Sequence, residues 1–165
     1  MASETFDPLE RFAEIERLVS KIYLRFSHLF LNQPRARDFW WEMGMEEEQH
    51  SAILLACKEM IRNYDEQIDP SISREKADQL KEQLTAYLQK GTPSLGVEEA
   101  FGIALEIETS EVDAIYSKLL RLGGPKIAQT LGNLGVPASV QQQKLKAALK
   151  QFCSDPALLA AAERL

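Results

Sequence analysis

The chain has 165 residues, 45% of them apolar and 27% charged, and its 25 acidic and 19 basic side chains leave a formal net charge of −6. That length and composition suit one globular domain with a sizeable core, so residues 1–165 are read as a single unit. The acidic balance argues against nucleic acid as a partner, because binding a phosphate backbone needs clustered Lys and Arg.

Asp7 can cap a first helix with Pro8 at its first position, running to about Leu31 before Asn32-Gln33-Pro34. A second long helix is expected from Arg35 to about Tyr64. A connection over Asp65 to Ser73 leads to a polar helical stretch, Arg74 to Gln89, which Lys90-Gly91-Thr92-Pro93 breaks. A third long helix should span Val97 to Leu122, closed by Gly123-Gly124-Pro125. Lys126 to Leu131 reads as a short helix, Gly132 to Pro137 as an interruption, and Ala138 to Phe152 as a fourth helix. Asp155-Pro156 starts a short C-terminal helix. Strand-like alternation is almost absent, so the expected fold is all-α. Two long helices, a long crossover with its own helix, then two more helices is the order of a ferritin-like four-helix bundle.

The apolar stripes are interrupted at matching places. Steps of three and four along the first helix give Phe12, Glu16, Val19, Tyr23, Phe26 and Phe30. The second helix gives Trp40, Met43, Glu47, His50, Leu54, Cys57 and Ile61, and the third gives Phe101, Leu105, Glu108, Val112, Ile115 and Leu119. One such glutamate alone fits a solvated face. Three helices carrying the same interruption point to a shared cause, because an unpaired buried carboxylate costs roughly several kcal/mol. A cation removes that cost, and oxygen-rich coordination with one imidazole suits iron or manganese. Glu47 and His50 are three residues apart and share one helix face, so both can converge on one ion. His28, the other histidine, lies off the stripe and reads as a surface or structural residue.

These residues resemble the rubrerythrin branch of the ferritin-like superfamily. Glu16-Arg-Leu-Val-Ser-Lys-Ile-Tyr23 is similar to its first-helix pattern, and Phe39-Trp-Trp-Glu-Met-Gly-Met-Glu-Glu-Glu-Gln-His50 to its second-helix Glu-x-x-His pattern. Ala104-Leu-Glu-Ile-Glu108 through Tyr116 resembles the third helix, with a Glu-to-Tyr spacing of eight that leaves Glu106 and Glu111 as lesser candidates. The likeness covers roughly residues 10 to 122. It implies an iron-dependent redox or iron-handling protein whose metal ligands are Glu16, Glu47, His50 and Glu108. Tyr23 and Tyr116 would be hydrogen-bond donors behind the ligands or plain core tyrosines.

The family's second Glu-x-x-His is missing, since no histidine follows His50 and the fourth helix reads Gln141-Gln-Gln-Lys-Leu-Lys-Ala-Ala-Leu-Lys. Three arrangements follow: a single ion completed by water, a ligand from a partner subunit, or an empty site with Lys144 or Lys146 turned inward as a counter-charge. Otherwise the stretch Lys144 to Lys150 reads as a solvated face. The alternative function is a metal-free bundle serving as a structural or interaction module. A homodimer is expected, with an unknown electron donor; in the metal-free reading Leu158-Leu-Ala-Ala-Ala is either a dimer contact or a helix folded back on the bundle.

Cys57 and Cys153 stand far apart in no CxxC spacing, which disfavours a disulfide scaffold, a thiolate metal site and a rubredoxin module. No apolar run approaches the roughly 20 residues of a membrane span, and the opening residues lack the regions of a signal peptide. The expected location is the cytoplasm, with no membrane contact.

Overall fold

In a computed structural model of the protein, which describes residues 5–61 and 68–165, the elements are all helical. The expected helix end at Tyr64 and the start of the following connection lie outside the described residues. Helix α1 (Pro8–Leu29) begins where Asp7 accepts a hydrogen bond from the Glu10 N–H, with Pro8 in the first turn. Helix α2 (Pro34–Met60) starts on a second proline and stops because Ile61 turns to an extended conformation, φ −110° and ψ 122°. Helix α3 (Arg74–Lys90) is capped by Ser73. Then follow α4 (Val97–Glu108), α5 (Val112–Leu120), a 3₁₀ turn over Arg121–Gly123, α6 (Pro125–Gly132), α7 (Ala138–Phe152) and α8 (Pro156–Ala162). Among the described residues, no helix is long and apolar enough to cross a membrane.

One expected element is divided. The segment from Val97 to Leu122 is not one helix, because it breaks at Thr109-Ser110-Glu111. The Thr109 hydroxyl donates to the Leu105 carbonyl at 2.7 Å and the Ser110 hydroxyl to the Ile107 carbonyl at 2.5 Å. The Ser110 hydroxyl and N–H thus both take the Ile107 carbonyl that a continuing helix would offer to Glu111, while the Thr109 hydroxyl adds to the carbonyl its own N–H already bonds.

Helices α1 and α2 form the most extensive pair. Their register is held by hydroxyls on one helix bonding backbone on the other. Ser20 donates to the Gly44 carbonyl at 2.7 Å, and Ser51 to the Ala13 carbonyl at 2.8 Å. Gly44 permits this approach, since a Cβ there would lie 2.8 Å from Leu24 Cγ. Helix α3 lies along α1, α5 contacts both α1 and α2, and α4 packs on α7 and α8. The C-terminal helix is folded back: Glu98 accepts from the backbone of Ser154 and Asp155, Leu158 lies beside Gly102, and Ala162 is buried. The Leu158 run is thus packed back on the bundle, one of its two expected arrangements.

At one end of the α1–α2–α4 contact, Trp40 is fully buried among Phe26, Phe39 and Phe101, with ring centroids 5.1, 4.8 and 4.6 Å away. Such close aromatic packing supplies large apolar area and a rigid floor. Tyr23, 5.7 Å from Trp40, marks the boundary where the interior changes from aromatic to carboxylate.

Candidate metal centre

The positions singled out in the three stripes all face inward. Glu16 is 1% exposed, Glu47 2%, His50 1% and Glu108 3%. Glu16, Glu47 and His50 each direct a donor atom into one spot, with those atoms within 4.8 Å of one another. Glu108 stands next to this group, on the side of Glu47, and its phenol partner is Tyr23, whose hydroxyl donates at 2.6 Å. His28 is exposed on α1, as expected. Glu106 bonds the Tyr87 hydroxyl and Glu111 the Lys76 ammonium, both away from the cluster.

The cluster contains more acceptors than donors. Neither carboxyl oxygen of Glu16 has a hydrogen-bond partner, and one oxygen each of Glu108 and Asp113 is equally unpartnered. Glu16 faces Glu47, another carboxyl group. His50 Nε2 lies 2.8 Å from the carbonyl oxygen of Val136, which can only accept, so Nε2 carries the proton. The other ring nitrogen, Nδ1, lies 3.2 Å from Glu47 Oε2. For a neutral imidazole that places a lone pair against a carboxylate oxygen. Such a contact needs a proton or a cation between the two atoms.

The electrostatics follow from this crowding. Burial, then the charge and contact of Glu47, raises the Glu16 carboxyl well above the usual range. Burial and the charges of Glu47 and Asp113 do the same to Glu108, against a smaller opposing effect from the Tyr23 hydrogen bond. Asp113 is pushed up to about 7 by burial and by Glu47. Burial alone would lower His50, but the hydrogen bond and charge of Glu47, with the Val136 carbonyl and Asp113, carry it upward. Burial and the surrounding carboxyls also raise Tyr116, whose ring stacks on His50 at 4.4 Å between centroids.

The inward lysine of the empty-site arrangement is not there. Lys144 points to the flank of α2, where it pairs with Glu46 and with Glu42, and Lys146 pairs with Glu163. Neither is among the groups that shift Glu16, Glu108 or Asp113. A lysine four carbons long satisfies its charge more cheaply at the rim, where it keeps water, than in a sealed chamber.

Two residues of the chamber escaped the sequence reading. Asp113 follows the α4–α5 break, and a continuous helix would have set it on a different face from Glu108. Its signal was the Thr109-Ser110 pair, two hydroxyl residues able to interrupt a helix. Gln141 is fully buried on α7 and donates from Nε2 to Glu47 Oε1 at 2.8 Å, while its own oxygen is unpartnered. It was detectable by the same criterion as the others. Gln141, Leu145 and Ala148 form the inward stripe of α7, and the polar residue interrupts it.

The donor set fits a divalent cation. It offers carboxylate oxygens without donors and an imidazole whose second nitrogen faces Glu47. Oxygen-dominated sites with one imidazole suit iron(II) and manganese(II). No protein-family model, no curated protein and no solved structure matches this chain.

Proposed function

We propose that this chain is a metal-binding bundle of the ferritin-like class, related to rubrerythrins, that holds iron or manganese at Glu16, Glu47 and His50. The observation that carries this reading is the Glu16 carboxyl group, 1% exposed with both oxygens unpartnered and directed at Glu47 and the His50 ring. Glu108 and Asp113 flank the same chamber and would neutralise or complete the coordination, with Tyr23 holding Glu108 in place. Bound iron would supply one-electron redox chemistry toward peroxide or oxygen, or a station for iron handling. The chain's own residues orient the donors, exclude bulk water and offer the Tyr23 and Tyr116 hydroxyls nearby.

Metal analysis of protein prepared with iron(II) or manganese(II) tests this reading. About one equivalent or more should be retained, with a rise in the thermal midpoint on adding metal. Less than about one-tenth of an equivalent with no thermal shift would defeat it. Equal binding by Glu47→Ala/His50→Ala would defeat the ligand assignment.

A second reading, a metal-free interaction module, is favoured by Gln141. A neutral amide stands where the fourth helix faces Glu47, and protons on the raised carboxyls could then neutralise the chamber. The same metal analysis separates the two.

A further inference from the structure

The chamber is closed over His50 by the loop between α6 and α7, residues 133–137. We propose that this loop is the positioning element of the metal centre: the Val136 carbonyl fixes His50 in the orientation that turns Nδ1 toward the carboxylates, and Gly135 is the residue that lets the carbonyl reach it. The inference rests on the metal-centre reading above, and it names what sets the donor nitrogen of that site.

The geometry is specific. His50 Nε2 donates to Val136 O at 2.8 Å, so one nitrogen is committed to the loop and the other is left for Glu47 and a cation. The partner of a ligating imidazole's second nitrogen sets its orientation and tautomer, and losing it typically lowers metal affinity about 10- to 100-fold. A side-chain partner can be lost by one substitution, whereas a backbone carbonyl is held only by the path of its loop. That path is tight at Gly135. A Cβ there would stand 2.8 Å from Ile53 Cδ1, 3.5 Å from His50 Cδ2 and 3.6 Å from the Tyr116 hydroxyl. The first contact forces a shift, while the other two are ordinary van der Waals separations. A methyl group at residue 135 is therefore accommodated either by the end of the Ile53 side chain or by the loop, and movement of the loop draws the Val136 carbonyl with it. Gly132, the last residue of α6, has nothing within 4 Å of its Cβ position. Leu134, in the same loop, is 60% exposed.

The test uses the full chain labelled with ¹⁵N-histidine. It contains two histidines, of which His28 is exposed, so His28→Gln assigns the spectrum. The expected result is a His50 Nε2–H resonance protected from solvent exchange, in metal-free and in zinc(II)-loaded protein alike. Gly135→Ala should expose that proton to exchange and weaken manganese(II) binding about 10- to 100-fold. Gly132→Ala should leave both unchanged. Ile53→Val removes the Cδ1 atom that the new methyl group meets, so Gly135→Ala/Ile53→Val should recover both the protected proton and the affinity. A His50 Nε2 that carries no proton, or one that exchanges as fast as His28, overturns the proposal. So does a Gly135→Ala chain with unaltered Nε2–H protection, or a double variant that recovers neither property. The proton measurement on the wild type needs no bound ion and no altered chain. If that proton is protected but manganese(II) never binds, the metal reading fails while the assignment of the loop stands.

Discussion

Two halves of one interior are built from the same helices and buried to the same degree, yet they do opposite things for the fold. Around Trp40 the stripes of α1, α2 and α4 meet as rings whose buried apolar area stabilises, against the cost of one unpartnered Trp40 Nε1–H. Further along the same stripes, Glu16, Glu47, His50 and Glu108 meet with too few donors. Burial there opposes folding until protons or a cation neutralise the carboxyls. Tyr23 belongs to both halves, its ring beside Trp40 and its hydroxyl on Glu108. The comparison teaches that a chamber of this kind needs a rigid apolar neighbour, because its own groups do not favour the compact state.

Breaking the aromatic half should have the largest effect. Trp40→Ala is expected to cost about 3–5 kcal/mol of stability, equally with and without added metal, as read by denaturant unfolding.

The carboxylate half should respond to pH in the reverse of the usual sense. A carboxyl whose folded pKa is raised binds more protons folded than unfolded, so stability falls as pH climbs from the unfolded value to the folded one. For Asp113, raised from 3.8 to about 7, that window is worth on the order of 4 kcal/mol, and Glu16 and Glu108 act in the same direction. Asp69, lowered to about 2, and Glu98 and Glu163, also lowered, oppose this only below the ordinary carboxylate range. Metal-free protein should therefore be more stable near pH 5 than near pH 8, and manganese(II) should reduce the difference. Thermal unfolding across that range that rises with pH in the absence of metal would contradict the picture.

Replacing Glu16 sharpens the contrast further. Glu16→Met exchanges an unpartnered carboxyl for an apolar side chain of similar reach and should stabilise the metal-free chain by about 1–4 kcal/mol. The same variant should lose the metal-induced thermal shift, so stability and binding move in opposite directions. Tyr23→Phe, at the boundary, removes one hydrogen bond to Glu108 while keeping the ring. It should cost about 1–2 kcal/mol in the metal-free chain. The smallest effect is expected at the rim. Lys146→Met should change stability by less than about 1 kcal/mol and leave metal retention intact, since Lys146 pairs with the exposed Glu163. Metal affinity created by that substitution would restore the inward-lysine arrangement.

The sequence by itself determined the helical class, because periodic apolar residues between prolines, glycines and capping side chains leave few other ways to bury the apolar face. It also determined which glutamates face inward on α1, α2 and α4, since within a continuous helix the angle between residues is set by the helix alone. Wherever a helix stops, that rule lapses, and only the tertiary structure decided. The Thr109-Ser110 break brought Asp113 into the chamber across an angle that no periodicity encodes. The α7 stripe marks Gln141 as inward, but only packing decided that Glu47 is the group it meets. The carbonyl on His50 was beyond sequence altogether, because every residue has one and only the path of the loop through Gly135 puts that of Val136 within 2.8 Å of the ring.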